Sequence, residues 1–306
     1  MIDSIELILS NKEFDSSKIL KTLSNQNLIQ RTTQYEVGYK GKSTNAIYKN
    51  FNFSITPIKV KICGSLTKLH AGNNIVNTSY YDDLASIKEL EAVLGISLGN
   101  ALVNRIDIAY NFQMEHEIYK YLDLLFSPLS TFKDIIYGKE TKEFRNKDSS
   151  IIFYDKVKEA FLKKRKPIEF KNLNLLRYEL RLRKLSFKKL GICDLTFKDL
   201  SDRSMYSKLI DVWYNNYQRV PKLSLAPSSA INFKKLSTCK DSLVLQAISS
   251  LEGIERVMKE LDCSNATAKT KFAIRQYFLK IKEHYTLSPL LVQELDEKVE
   301  FVYSNM

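Results

Sequence analysis

A chain of 306 residues, 44% of them apolar, is long enough to bury a sizeable core and too apolar to be disordered. Its formal charge of +12 points to a polyanionic partner, and no run of about 18 uncharged apolar residues offers a membrane span. Acids near the N-terminus stand where a signal peptide needs positive charge, so a cytoplasmic location is expected. Four scattered cysteines without a CxxC suggest neither a disulfide framework nor a zinc site.

Taken in order, the chain opens with a predicted strand at Ile5–Leu9 and a short helix at Ser16–Leu23. Alternating stretches at 34–39, 46–55 and 58–63 predict strands, and Ser65–His70 reads as a further short one before an Ala-Gly-Asn-Asn loop. Apolar spacing predicts a helix over 79–94, closed by Gly95. A strand follows at 102–112, a helix at 115–126, and two short strands at 131–137 and 140–145. Ser149–Tyr154 reads as an apolar strand that passes directly into a helix from Asp155. Residues 175–183 alternate strictly, leucines and Tyr178 on one face against Arg177, Glu179, Arg181 and Arg183 on the other.

Beyond Phe197 the pattern turns helical, with helices predicted at 204–217, 241–250, 253–261, 266–284 and 289–303 and a linker near 220–229. The expected fold is α+β. A mainly antiparallel central sheet with flanking helices fills residues 1–220, and a smaller all-helical domain fills 221–306.

The charge is uneven. Residues 151–200 hold 14 lysines and arginines against 6 acids, and Lys163, Lys164, Arg165 and Lys166 form a run within them. Such a block attracts nucleic acid first and an acidic membrane surface second. Tyr154 stands at the strand-to-helix junction with Lys156 and Lys158 just after it. A phenol held by a sheet beside lysines suits attack on a phosphate, the lysines lowering its pKa; it equally suits a core tyrosine ending a strand.

Asp107 lies two residues from Arg105, and Glu179 lies between Arg177 and Arg181, so each carboxylate shares a strand face with arginines. These are either exposed ion pairs or oxygen ligands for a hard divalent cation, with the arginines gripping phosphate. Glu143 is a third carboxylate on a neighbouring predicted strand. The three histidines form no His-x-His pair, so a metal site must be mainly carboxylate, with at most His70, Asn73 or Asn74 assisting. No Gly-rich nucleotide loop, dinucleotide fingerprint or Gly-x-Ser-x-Gly elbow is present.

Five segments in this order carry a resemblance: Met1–Ser4 with its strand, Gly64–Asn74, Asn104–Tyr110, Phe153–Lys156 and Leu176–Leu182. Over residues 1–200 the chain resembles the phage and plasmid replication initiators of the filamentous-phage gene II/X family. The resemblance implies a rolling-circle initiator of a bacterial host. It would nick one strand of an origin, stay joined to the 5′ phosphate through a tyrosine, and later rejoin the ends.

On this reading Tyr154 matches the nucleophile, assisted by Lys156. Asp107 and Glu179, with Glu143, hold Mg²⁺ or Mn²⁺. Arg105, Arg177, Arg181, Lys68, Asn73, Asn74 and the basic run 163–166 contact DNA, as origin duplex and as single strand. The phage proteins place a histidine near Asn73, which leaves a metal role for Asn73 without support. A host helicase and a second copy of the chain are further candidate partners, and Tyr137 is a candidate second tyrosine. Three rivals remain open: a DNA-binding module whose C-terminal helices form a helix-turn-helix, a metal-dependent nuclease that activates water, and an RNA or membrane-surface module.

Overall fold

The computed structural model describes residues 1–10, 15–35, 41–128, 132–137, 139–162, 172–192, 194–222 and 267–306. They form two compact units, Met1–Pro221 with Lys298–Met306, and Lys222–Glu297. The predicted helices at 241–250 and 253–261, the linker beyond residue 222, the first helix and turn of the helix-turn-helix and the basic run 163–166 lie outside the described residues.

The first unit is an α+β structure built on one ten-stranded sheet. In chain order its strands are β1 (Ile2–Ser10), β2 (Ile29–Tyr35), β3 (Gly41–Tyr48), β4 (Phe51–Ile55), β5 (Lys59–Ser65), β6 (Leu102–Gln113), β7 (Lys133–Tyr137), β8 (Thr141–Arg145), β9 (Ser149–Asp155) and β10 (Leu175–Arg183). Their spatial order is β2-β3-β4-β5-β1-β6-β10-β9-β8-β7, and every pairing is antiparallel. The unit's helices are α1 (Ser16–Asn25), α2 (Leu66–Ala71), α3 (Tyr80–Leu94), α4 (Ile118–Leu122), α5 (Lys156–Leu162), α6 (Lys184–Lys189) and α7 (Arg203–Gln218); of α8 (Ala268–Ser304), the part up to Glu297 belongs to the second unit.

The long strands β6 and β10 are central, and their alternation sorts side chains cleanly. Ile106, Ile108, Phe112, Leu176, Tyr178, Leu180 and Leu182 are all buried. Tyr178 stacks between Phe153 and Trp213, ring centroids 4.8 and 4.9 Å away, and its hydroxyl donates to the Trp213 carbonyl at 2.9 Å. Trp213 and Tyr217 are among the buried residues of α7, so this helix seals the apolar side. A buried aromatic with its hydroxyl satisfied keeps the full gain of apolar burial.

Four elements differ from the sequence expectation. Residues 46–55 make a hairpin instead of one strand, because Lys49 takes a left-handed φ of 50° and turns the chain between β3 and β4. Residues 66–71 are helical instead of extended. The Ser65 hydroxyl caps α2 by accepting from the Lys68 amide at 3.1 Å, and Gly72 ends it at φ 74°. The helix expected over 115–126 is confined to α4. The two helices expected at 266–284 and 289–303 are one helix, α8; an internal proline costs one hydrogen bond and bends a helix without having to end it. Gly64 is required by packing, since a Cβ there would lie 2.5 Å from the Phe51 ring.

Candidate active site

The other face of the same strands is polar. Register places Asp107 opposite Arg181, Ala109 opposite Glu179 and Asn111 opposite Arg177 across β6 and β10. Tyr154 on β9 stands opposite Arg177. These residues therefore share one face by pairing alone.

Tyr154 is the penultimate residue of β9, and α5 begins at Lys156. Its hydroxyl lies 3.5 Å from Glu179 Oε2, and the Lys156 ammonium sits 5.6 Å from its ring centroid. Lys156 is buried and ion-pairs with Glu159 at 2.8 Å, one helical turn on. Burial, with help from the Arg177 charge, lowers its pKa to about 8 against the pull of Glu159.

The phenol moves opposite to the sequence expectation. Burial pushes the Tyr154 pKa well above its usual value; Glu179, Glu159 and Asp3 push the same way, and Arg177 opposes them. Lys158 is half-exposed and pairs with Asp155 and Glu140, so it does not offset them. Tyr154 is a protonated phenol at neutral pH.

Arg177, expected to grip phosphate, is an interior ion. It is 2% exposed, 2.6 Å from Asp3 Oδ2 and 3.5 Å from Glu179 Oε2, and it donates to the Asn74 carbonyl at 3.2 Å and Asn111 Oδ1 at 3.1 Å. Asp3 reaches it because β1 carries a register shift between Ile2 and Ser4, an extra residue that turns its side chain to the polar face. Asp3 also accepts from Ser65 at 2.7 Å. Asp3 falls within the Met1–Ser4 segment of the resemblance, but that segment alone gives it no role, since its partner Arg177 is far along the chain. Glu159 is a further site residue outside the sequence expectation, although its spacing of three from Lys156 on a helix is a readable sign.

Asp107 and Glu179 are brought together by Arg181, whose Nε lies 3.1 Å from Asp107 and whose Nη2 donates to Glu179 at 2.9 Å. Arg105 adds a two-pronged grip on Asp107 at 3.0 and 2.8 Å. Burial and then the Glu179 charge raise Asp107 to about 6, against both arginines. A divalent cation commonly takes one or two protein carboxylates, and here it would share Asp107 and Glu179 with the arginines that hold them.

Glu143 is not brought to this pair. It stands two strands from Glu179 with Ile152 between them, and both its oxygens accept from Arg145 at 2.7 Å. Burial would raise its pKa, but hydrogen bonds from Arg145 and Ser150 and the nearby arginine charges outweigh that and hold it low. Among the described residues no group of three or more His, Cys, Asp or Glu side chains is placed to hold a metal ion.

Lys68, Asn73, Asn74 and Arg105 line one cleft of about 610 Å³, together with Ser4 and Glu159. Asn73 is engaged locally, its Oδ1 accepting from the Ile75 amide at 3.0 Å. His70 pairs with Asp82 at 3.1 Å.

One face of the antiparallel sheet thus carries Tyr154 and the Asp107 and Glu179 carboxylates, with the buried Lys156 beside them at the start of α5. The family model for the N-terminal region of a phage replication-associated protein matches residues 1–204, and the chain belongs to that family. No curated protein matches it. Among the described residues no helix is long and apolar enough to cross a membrane.

Proposed function

We propose that the protein is a rolling-circle replication initiator that nicks one DNA strand at an origin through Tyr154, keeps the 5′ phosphate as a phosphotyrosine ester, and later rejoins ends. Family membership supports the replication role. The observation that carries the chemistry is Tyr154 itself, at a strand-to-helix junction with its hydroxyl 3.5 Å from Glu179 and Lys156 beside its ring.

In the step proposed, the Tyr154 oxygen bonds to phosphorus while giving its proton to Glu179, the bond from phosphorus to the 3′ oxygen breaks, and that oxygen takes up a proton from solvent water. The raised phenol needs an acceptor for its proton, and the Glu179 carboxylate stands 3.5 Å from its hydroxyl. Lys156, at about 8, retains a proton at neutral pH to offset charge on the reacting oxygens. Asp107 and Glu179 would hold Mg²⁺ or Mn²⁺, which when bound supplies Lewis-acid polarisation of the phosphate. Because the ester conserves the bond energy, rejoining needs no nucleotide cofactor, in keeping with a sequence without a nucleotide-binding loop.

The test is a denaturing gel of protein with labelled single-stranded origin DNA and Mg²⁺ or Mn²⁺, beside Tyr154→Phe. An adduct that survives denaturant and is missing in the variant is expected. Cutting without adduct in both proteins would replace this reading with a nuclease that activates water, an alternative favoured by the raised Tyr154 phenol.

A further inference from the structure

The pairing of an arginine with an acid two residues away occurs on three strands of the polar face. Arg105 and Asp107 pair on β6, Glu179 and Arg181 on β10, and Glu143 and Arg145 on β8. Each arginine is partly exposed, with side chains 29%, 25% and 43% accessible, and each carboxylate beneath is buried to 7% or less. Register puts Arg181, Ser150, Arg145 and Lys133 in one line across β10, β9, β8 and β7. Strands lie about 4.8 Å apart, so Arg145 extends this cationic line roughly 10 Å beyond Arg181, away from Asp107.

We infer that Arg145, held by Glu143, anchors a distal phosphate-binding strip with Arg181, which carries the backbone of single-stranded DNA outside the reacting phosphate. The inference rests on the DNA-nicking function proposed above. It gives Glu143 the task of aiming an arginine instead of binding metal. A guanidinium has five N–H donors in a planar fork, and each grip on a carboxylate fixes its plane before ligand arrives. Fixing the fork removes the ordering cost that a loose surface arginine would incur on binding phosphate.

Nucleic acid is favoured over an acidic protein by what the strip lacks. Among the described residues none of the exposed large apolar side chains lies on β6, β8, β9 or β10. Protein interfaces draw their affinity from buried aromatic and aliphatic anchors, whereas backbone binding to DNA needs only placed cations.

The experiment measures binding of the full chain to a labelled mixed-sequence 20-nucleotide single strand by anisotropy, in EDTA, across a salt series. Proteins compared are wild type, Arg145→Ala, Arg145→Lys and, as a charge control on α1, Lys18→Ala. Arg145→Ala is expected to weaken binding about 3- to 10-fold and to lower the salt slope by about 0.7, the value for one lost contact to a single strand. Arg145→Lys is expected to restore the slope but not the full affinity, since a point charge cannot make the fork. Lys18→Ala is expected to match wild type. Wild-type affinity and slope in Arg145→Ala would overturn the strip while leaving Tyr154 chemistry intact. No binding by wild type would overturn the DNA reading and the strip together. An equal loss for Arg145→Ala on a labelled polyglutamate peptide, with DNA binding unchanged, would assign the strip to an acidic protein.

Discussion

The two faces of β6 and β10 differ in what their side chains do for the molecule. On one face Tyr178, Phe153 and Trp213 stack in a dry layer, and every one of them is fully buried. On the other face of the same strands, burial and then the Glu179 charge raise Asp107 to about 6, and Arg177 is sealed inside with Asp3 and Glu179. The first arrangement gains stability from burial. The second loses some of it, because its ions are desolvated and their mutual pairing only partly offsets that cost.

Substitutions separate the faces, the largest effects first. Trp213→Ala opens a cavity in the apolar layer and should cost about 3–5 kcal/mol of unfolding free energy, read by denaturant titration. Arg177→Met should cost a similar amount, about 3–5 kcal/mol, even though it adds apolar volume, because Asp3 and Glu179 are left buried without their cation. A near-neutral result there would mean that water reaches the ions despite their burial.

Lys156→Ala should slow nicking by about 10²-fold or more. In the wild type, nicking should fall as pH rises through about 8, where Lys156 loses its proton. A rate that stays flat well above that pH would remove Lys156 from the chemistry. Arg105→Ala removes a partly exposed pair, so stability should change by no more than about 1 kcal/mol while single-strand affinity drops.

A separate effect, read as a pH dependence, is set by Asp107. Its folded pKa is raised to about 6 from an ordinary value of 3.8, so its ionisation is disfavoured by folding. The stability it contributes is complete below about pH 4 and is lost as pH rises through about 6. That slope should be missing in Asp107→Asn when unfolding free energies are compared across this interval. Because a cation takes the ionised carboxylate, Mn²⁺ affinity should rise over the same interval.

What the sequence reveals follows the same division. The strict alternation of 175–183 announces both faces, as do Arg105 and Asp107 against Ile106 and Ile108 in 102–112, and the junction at Tyr154 is readable from an apolar strand running into a helix. The cap at Ser65 and the turn at Lys49 are not readable, because each is a local hydrogen bond or dihedral that apolar alternation does not encode. The phenol shift escapes the sequence for a related reason. Sequence shows that lysines are near Tyr154, but only packing shows that Lys158 faces solvent while the Glu179 and Asp3 charges act on the hydroxyl. Glu143 resembles a third ligand in sequence because neighbouring strands suggest proximity; register puts Ile152 in between.

Whether the Tyr154 oxygen becomes the covalent link to DNA can be read by mass spectrometry of the protein–DNA adduct after nuclease and trypsin digestion. The tryptic peptide Asp148–Lys156 contains one tyrosine, Tyr154. This peptide should carry the residual nucleotide as a phosphotyrosine ester. A nucleotide found on any other peptide, with Asp148–Lys156 recovered unmodified, would contradict the assignment of Tyr154 as the nucleophile.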